Sequence, residues 1–123
     1  MKTALLLIAH GSRLAEANAD LEHLVAVLRA RGPYAIVECC YLELAEPSIE
    51  VGAVRCLEQG AERVLLAPYF LSAGMHVTRD LEAMCVQLAA AYVGVHFRLC
   101  EPIGRHPLMA EIIIARAREA ECG

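Results

Sequence analysis

An open parallel α/β sheet is predicted by three features of the chain. Short apolar runs of strand length alternate with segments whose apolar residues recur at helical spacing, and this strand-helix unit repeats with short connections. Hydrophobic residues make up 58% of the 123 positions, yet tryptophan is absent and aromatics are only 5%, so the apolar matter is alanine, leucine, valine and isoleucine, as in strands covered on both faces. Right-handed crossovers then bring every strand C-terminus to one edge of a four-stranded sheet with helices on both faces. One domain, 1–123, is expected, large enough to bury roughly two-thirds of the surface its unfolded chain exposes.

The elements follow in order. Residues 3–9 form an apolar run that stops at His10-Gly11 and reads as a buried strand rather than a signal peptide, because it leads straight into a helical pattern. Ala15 to Arg31 is that helix, with Leu21, Leu24, Val25 and Leu28 on one face and Gly32-Pro33 as its stop. Ala35 to Leu42 is a second strand. Pro47 is placed in the first turn of a helix that runs through Gln59 to Gly60. Arg63 to Leu71 is the third strand, its pairing loosened near Pro68. From His76 the pattern Val77, Leu81, Met84, Cys85 and Leu88 is helical to about Tyr92, and Val95 to Cys100 is a fourth strand. The last helix, Pro107 to Ala120, is expected to turn Leu108, Ile112, Ile113 and Ala115 inward.

Composition narrows the function. A net charge of −4 with no basic run argues against nucleic acid as a partner, and no apolar stretch approaches the roughly 20 residues of a membrane span. Six cysteines without a CxxC pair read as reduced, mostly buried thiols of a cytoplasmic protein. High apolar content hints at a surface awaiting another subunit.

His10, Glu43, His76 and Glu101 all fall just beyond strand ends, where open α/β sheets place their ligands. Two imidazoles and a carboxylate suit a borderline transition metal, with Glu43 the natural third donor beside His10 and His76. A strand-end histidine that merely satisfies a backbone group is the plainer alternative. Glu46 is a weaker candidate than Glu43, since a carboxylate there also suits the positive end of a helix. Amides after Gly11 and Ser72 form a potential anion cradle, with Arg13 and Arg79 placed to meet carboxylates. His23, His96 and His106 are assigned structural roles, His106 as a helix cap near the rim.

These residues resemble a family. His10-Gly11-Ser12, Tyr41-Leu42-Glu43 followed by Glu46-Pro47-Ser48-Ile49, the stretch from Pro68 through Gly74-Met75-His76-Val77 to Asp80-Leu81, and Cys100-Glu101-Pro102-Ile103-Gly104 look like the small class II chelatases, the short form of the sirohydrochlorin cobaltochelatase family. The resemblance covers nearly the whole chain. It implies ATP-independent insertion of a divalent metal, Co2+ first and Ni2+ or Fe2+ as alternatives, into sirohydrochlorin, with no organic cofactor. It maps the metal ligands onto His10, His76 and Glu43, with His10 and His76 as the catalytic groups, and implies a homodimer, because larger relatives join two such lobes; Gly11, Ser12, Arg13, Ser72, Gly74 and Arg79 are the residues expected to meet the substrate.

Two other enzyme classes fit poorly. Histidine phosphatases also end their first strand in His-Gly but place an arginine before the histidine, where this chain has Ala9. A serine hydrolase built on Ser12 lacks the GxSxG elbow. A metal carrier or sensor using the same ligands without a tetrapyrrole remains the non-enzymatic alternative.

Overall fold

The computed structural model describes residues 1–72 and 74–123. Four parallel strands, β1 (Thr3–Ala9), β2 (Ile36–Tyr41), β3 (Arg63–Pro68) and β4 (His96–Leu99), alternate with α1 (Ala15–Arg31), α2 (Ile49–Glu58), α3 (Met75–Ala91) and α4 (Leu108–Cys122), as the sequence predicts. The strand order is β2-β1-β3-β4, so the first strand lies inside the sheet between the second and third. Its register aligns Ala9 with Tyr41 on one side and Ile8 with Pro68 on the other.

Alternation along the strands sends side chains to two cores. Leu7, Val37 and Tyr41 meet Leu21 and Val25 of α1 on one face. Ala4, Leu6, Ile8, Val64 and Leu66 meet Ile49, Ala53 and Cys56 of α2, and Leu81 and Leu88 of α3, on the other. The α2–α3 side therefore carries the larger core.

At the β2 edge, Glu38 accepts from Arg29 of α1 at 2.7 Å and from Gln59, which follows α2, at 3.1 Å. Arg29 also donates to the carbonyl of Val37 at 2.8 Å. One carboxylate thus ties the helix of each face to the same edge strand, and an inward-held charge discourages the strand from pairing with another chain.

Three expectations change. Pro47 lies outside α2, whose N-cap is Ser48, with the serine hydroxyl accepting from Val51 N at 3.3 Å; the carbonyl of Pro47 instead accepts from Tyr41 N at 2.9 Å and folds the loop back on the sheet. β3 ends at Pro68, not Leu71, because the loop beyond it turns toward the rim. Most consequentially, α4 buries nothing: Leu108, Ile112, Ile113 and Ile114 are 61%, 52%, 64% and 43% exposed. Its apolar residues were expected to face inward, but this chain offers them no core.

All six cysteines are free thiols. Burial pushes Cys40 far above the ordinary thiol range and Cys56 up to about 12, so neither forms thiolate near neutral pH. Cys122 is exposed. Brief alkylation with iodoacetamide at pH 8, followed by mass mapping, is expected to modify Cys122 first and to reach Cys40 and Cys56 only after unfolding. Equal labelling of all three in the native protein would contradict this packing.

Candidate metal centre

The centre is built by extending the β1–β2 ladder past its named strands. Leu42 N donates to Ala9 O at 2.9 Å and Glu43 N donates to His10 O at 3.1 Å, so His10 and Glu43 leave the sheet side by side. Gly11 makes that approach possible. Its φ of +97° is open to glycine, and a Cβ there would overlap the backbone carbonyl of Glu43. Just beyond, Leu44 adopts φ of +64°, a left-handed conformation costing a bulky residue about 1–2 kcal/mol.

The chain leaves β1 for β2 on one side and returns to β3 on the other, which makes the C-terminal ends of β1 and β3 the topological switch point. Tyr69 N donates to Ile8 O at 2.7 Å there and carries Phe70 underneath His10. The two rings lie 4.4 Å apart at 34°, and Phe70 is buried. An aromatic contact of this kind contributes about 0.5–1.5 kcal/mol and limits how the imidazole turns.

His10 and Glu43 open onto a cavity of about 510 Å³. Leu42, Ile49, Val77, Leu81 and Met84 supply its apolar wall, while Asp80 and Gln87 of α3 add polar groups to the lining. An imidazole and a carboxylate from adjacent strand ends thus line one cavity with a second carboxylate from the facing helix, donor types that suit a borderline divalent ion.

His76 is placed differently. It is the second residue of α3, is exposed, and is not part of the lining of this cavity. Among the described residues no three histidine, cysteine, aspartate or glutamate side chains are grouped to hold a metal ion. The structure therefore brings two of the three expected ligands into one cavity and leaves the third at a neighbouring helix start.

The residues expected to hold substrate spread around the rim. Ser12 is engaged internally: its N–H donates to Asn18 Oδ1 at 3.0 Å, its carbonyl accepts from Asn18 Nδ2 at 2.8 Å, and its hydroxyl accepts from Leu14 N at 3.1 Å. Arg13 lines a shallow depression with Glu46 beside the start of α1. Ser72 lines a second cleft, of about 780 Å³, with Glu101, His106 and Leu108. Gly74 is the N-cap of α3, and Arg79 is exposed on that helix. His106 does cap a helix start, its Nδ1 accepting from Leu108 N at 3.1 Å. His23 and His96 are exposed away from these cavities.

Two residues beside the expected ligands, Asp80 and Phe70, stand in the family motif but carry no assigned role from the residues alone. Asp80 lies one helical turn after His76, a spacing that puts both near one face of α3 and that, with the cavity known, marks it. Phe70 stands in the family motif too, but its contact with His10 is not readable there, since it depends on β1 and β3 being neighbours.

The sequence profile of the CbiX family matches residues 4–120. The chain is 35% identical over 109 residues to a chloroplastic sirohydrochlorin ferrochelatase of Arabidopsis thaliana, an alignment that covers 89% of this chain and 48% of that protein. It is 34% identical over 117 residues to a sirohydrochlorin cobaltochelatase of Priestia megaterium, covering 95% of this chain and 38% of the other. It thus spans half or less of the length of these relatives. Among solved structures, the sirohydrochlorin chelatase SirB of Bacillus subtilis subspecies spizizenii in complex with cobalt superposes with a TM-score of 0.85 at 28% identity, over 97% of this chain and 51% of that one. The motif resemblance and the α/β architecture agree with these matches, and the chain belongs to the CbiX family.

Proposed function

We propose that this protein inserts a divalent metal, Co2+ in preference to Fe2+ or Ni2+, into sirohydrochlorin without ATP. The observation that carries the reading is the pairing of His10 with Glu43 at the mouth of a part-apolar cavity on the switch point of the sheet. Relatives named for both cobalt and iron support a tetrapyrrole chelatase, and the preference for cobalt is part of the proposal. Working as a homodimer in the cytoplasm is part of the proposal; no helix among the described residues is long and apolar enough to cross a membrane.

In this reading the metal arrives hydrated and exchanges waters for His10 and Glu43, with His76 as the third ligand when α3 adjusts at its start. Pyrrole nitrogens then replace the protein ligands. Metallation removes two protons from the macrocycle, and an imidazole released from the metal is a suitable acceptor for one of them. Asp80, lining the same cavity, is placed to take the other. Arg13 and Arg79 would meet substrate carboxylates, with the backbone at Gly11, Ser12, Ser72 and Gly74 shaping the approach.

The test is a spectrophotometric assay of sirohydrochlorin with Co2+, Ni2+ and Fe2+ in turn. Cobalt is expected to react fastest, and His76→Ala to slow insertion by about 100-fold while leaving the circular dichroism spectrum unchanged. Tight Co2+ binding with no change in the macrocycle spectrum would mean a carrier or sensor instead.

A further inference from the structure

Among the described residues, His10 is the one candidate ligand whose ring lies against another aromatic ring. Neither of its nitrogens has a hydrogen-bond partner there, whereas the exposed His106 engages Nδ1 with Leu108 N at 3.1 Å. What His10 has instead is Phe70, 4.4 Å away between ring centroids and tilted by 34°, closer to stacked than to edge-on.

Phe70 is itself well fixed. Its neighbours Tyr69 and Leu71 are exposed, while Phe70 is buried and belongs to the same core as Ile8 of β1, Leu66 of β3 and Leu81 of α3. Only the middle residue of the three turns inward. Phe70 is not part of the lining of the His10–Glu43 cavity, so it stands behind the imidazole and does not itself reach a bound ion. The backbone of His10 is held from the opposite side, where its carbonyl accepts from Glu43 N at 3.1 Å. The extension of β2 thus fixes the main chain of this residue, and the extension of β3 restrains its ring.

A metal-bound histidine ordinarily gives its second ring N–H to a carboxylate or a carbonyl, which orients the ring and strengthens the donor together. An aromatic face separates the two effects. It orients the imidazole and engages neither nitrogen, so the ion meets a ligand already aimed but not strengthened. That combination suits a site that must take up a metal and then surrender it to pyrrole nitrogens.

We propose that Phe70 is a positioning residue for metal binding, its ring aiming the His10 imidazole into the cavity in place of a hydrogen bond. The inference rests on the reading of His10 as a metal ligand and names what sets that ligand's direction.

The test is a double-mutant cycle on the full chain, read by calorimetric titration with Co2+ alone. Phe70→Leu, which stays apolar, is expected to raise the Co2+ dissociation constant about tenfold in the parent and less than about twofold in a His10→Ala background. An equal loss in both backgrounds would mean that Phe70 supports the fold around the site rather than His10, and no loss in the parent would mean that His10 needs no such support; either result overturns the proposal. Proton NMR of the metal-free parent gives a second readout that needs no Phe70 variant. The His10 ring protons, assigned by their disappearance in His10→Ala, are expected upfield of those of the exposed His23 and His96, because they lie over the Phe70 ring. Ordinary shifts for His10 overturn the proposal as well. If His10→Ala leaves Co2+ affinity unchanged, the metal reading fails and takes the proposal with it; if His10→Ala weakens binding and Phe70→Leu does not, only the positioning role fails.

Discussion

Replacing His10 by alanine is expected to lower the rate of cobalt insertion by at least about 100-fold, since in the proposed mechanism the substitution removes one of few metal donors and a proton acceptor at once. The fold should not suffer. His10 is exposed, it follows rather than belongs to β1, and its backbone carbonyl still accepts from Glu43 N in the variant. The lost contact with Phe70 removes about 0.5–1.5 kcal/mol. The measurement is an initial-rate assay of sirohydrochlorin metallation beside a thermal melt. An unchanged melt with a collapsed rate supports the assignment; a parental rate rejects His10 as a donor.

Gly11→Ala should have the opposite signature, damaging stability and activity together. An alanine there must adopt a positive φ and also displace the carbonyl of Glu43, and the combination costs about 2–4 kcal/mol. For a domain of this size that lowers the melting temperature by about 10 °C. The displacement also separates Glu43 from His10, so the protein that remains folded should bind Co2+ more weakly in calorimetric titration. Gly74→Ala is the control: its φ is −65° and a Cβ there meets nothing within 4 Å, so only the weaker N-cap preference of alanine is felt and the melt should fall by no more than about 3 °C.

The contrast between those two glycines marks where the sequence stops being readable. Strands such as Leu5-Leu6-Leu7-Ile8 are legible because a parallel strand covered on both faces must be apolar throughout, and turn residues bound it on either side. His10 and Glu43 are legible as rim residues for the same reason, since parallel topology alone sends strand ends to one edge. Their being neighbours is not, because the order β2-β1-β3-β4 is decided by which faces pack. Helical spacing in α4 showed that Ile112 and Ile113 need cover without showing what covers them. Asp80 shares that difficulty: a charged residue on an exposed helix reads as solvated until the cavity beside it is seen.

In the proposed mechanism the start of α3 bears on how the ion leaves. Gly74 caps that helix with no side-chain hydrogen bond, whereas His10 and Glu43 stand on hydrogen-bonded extensions of the sheet. Helix ends of this kind open at little cost, and central strands do not. A set of three equally fixed donors would make a good store for cobalt and a poor dispenser. In the proposed ligand set, His76 at a helix start without a side-chain cap would be the grip that loosens first, and the residence time of the ion would be set by the weakest secondary structure around it rather than by the strength of its best ligand.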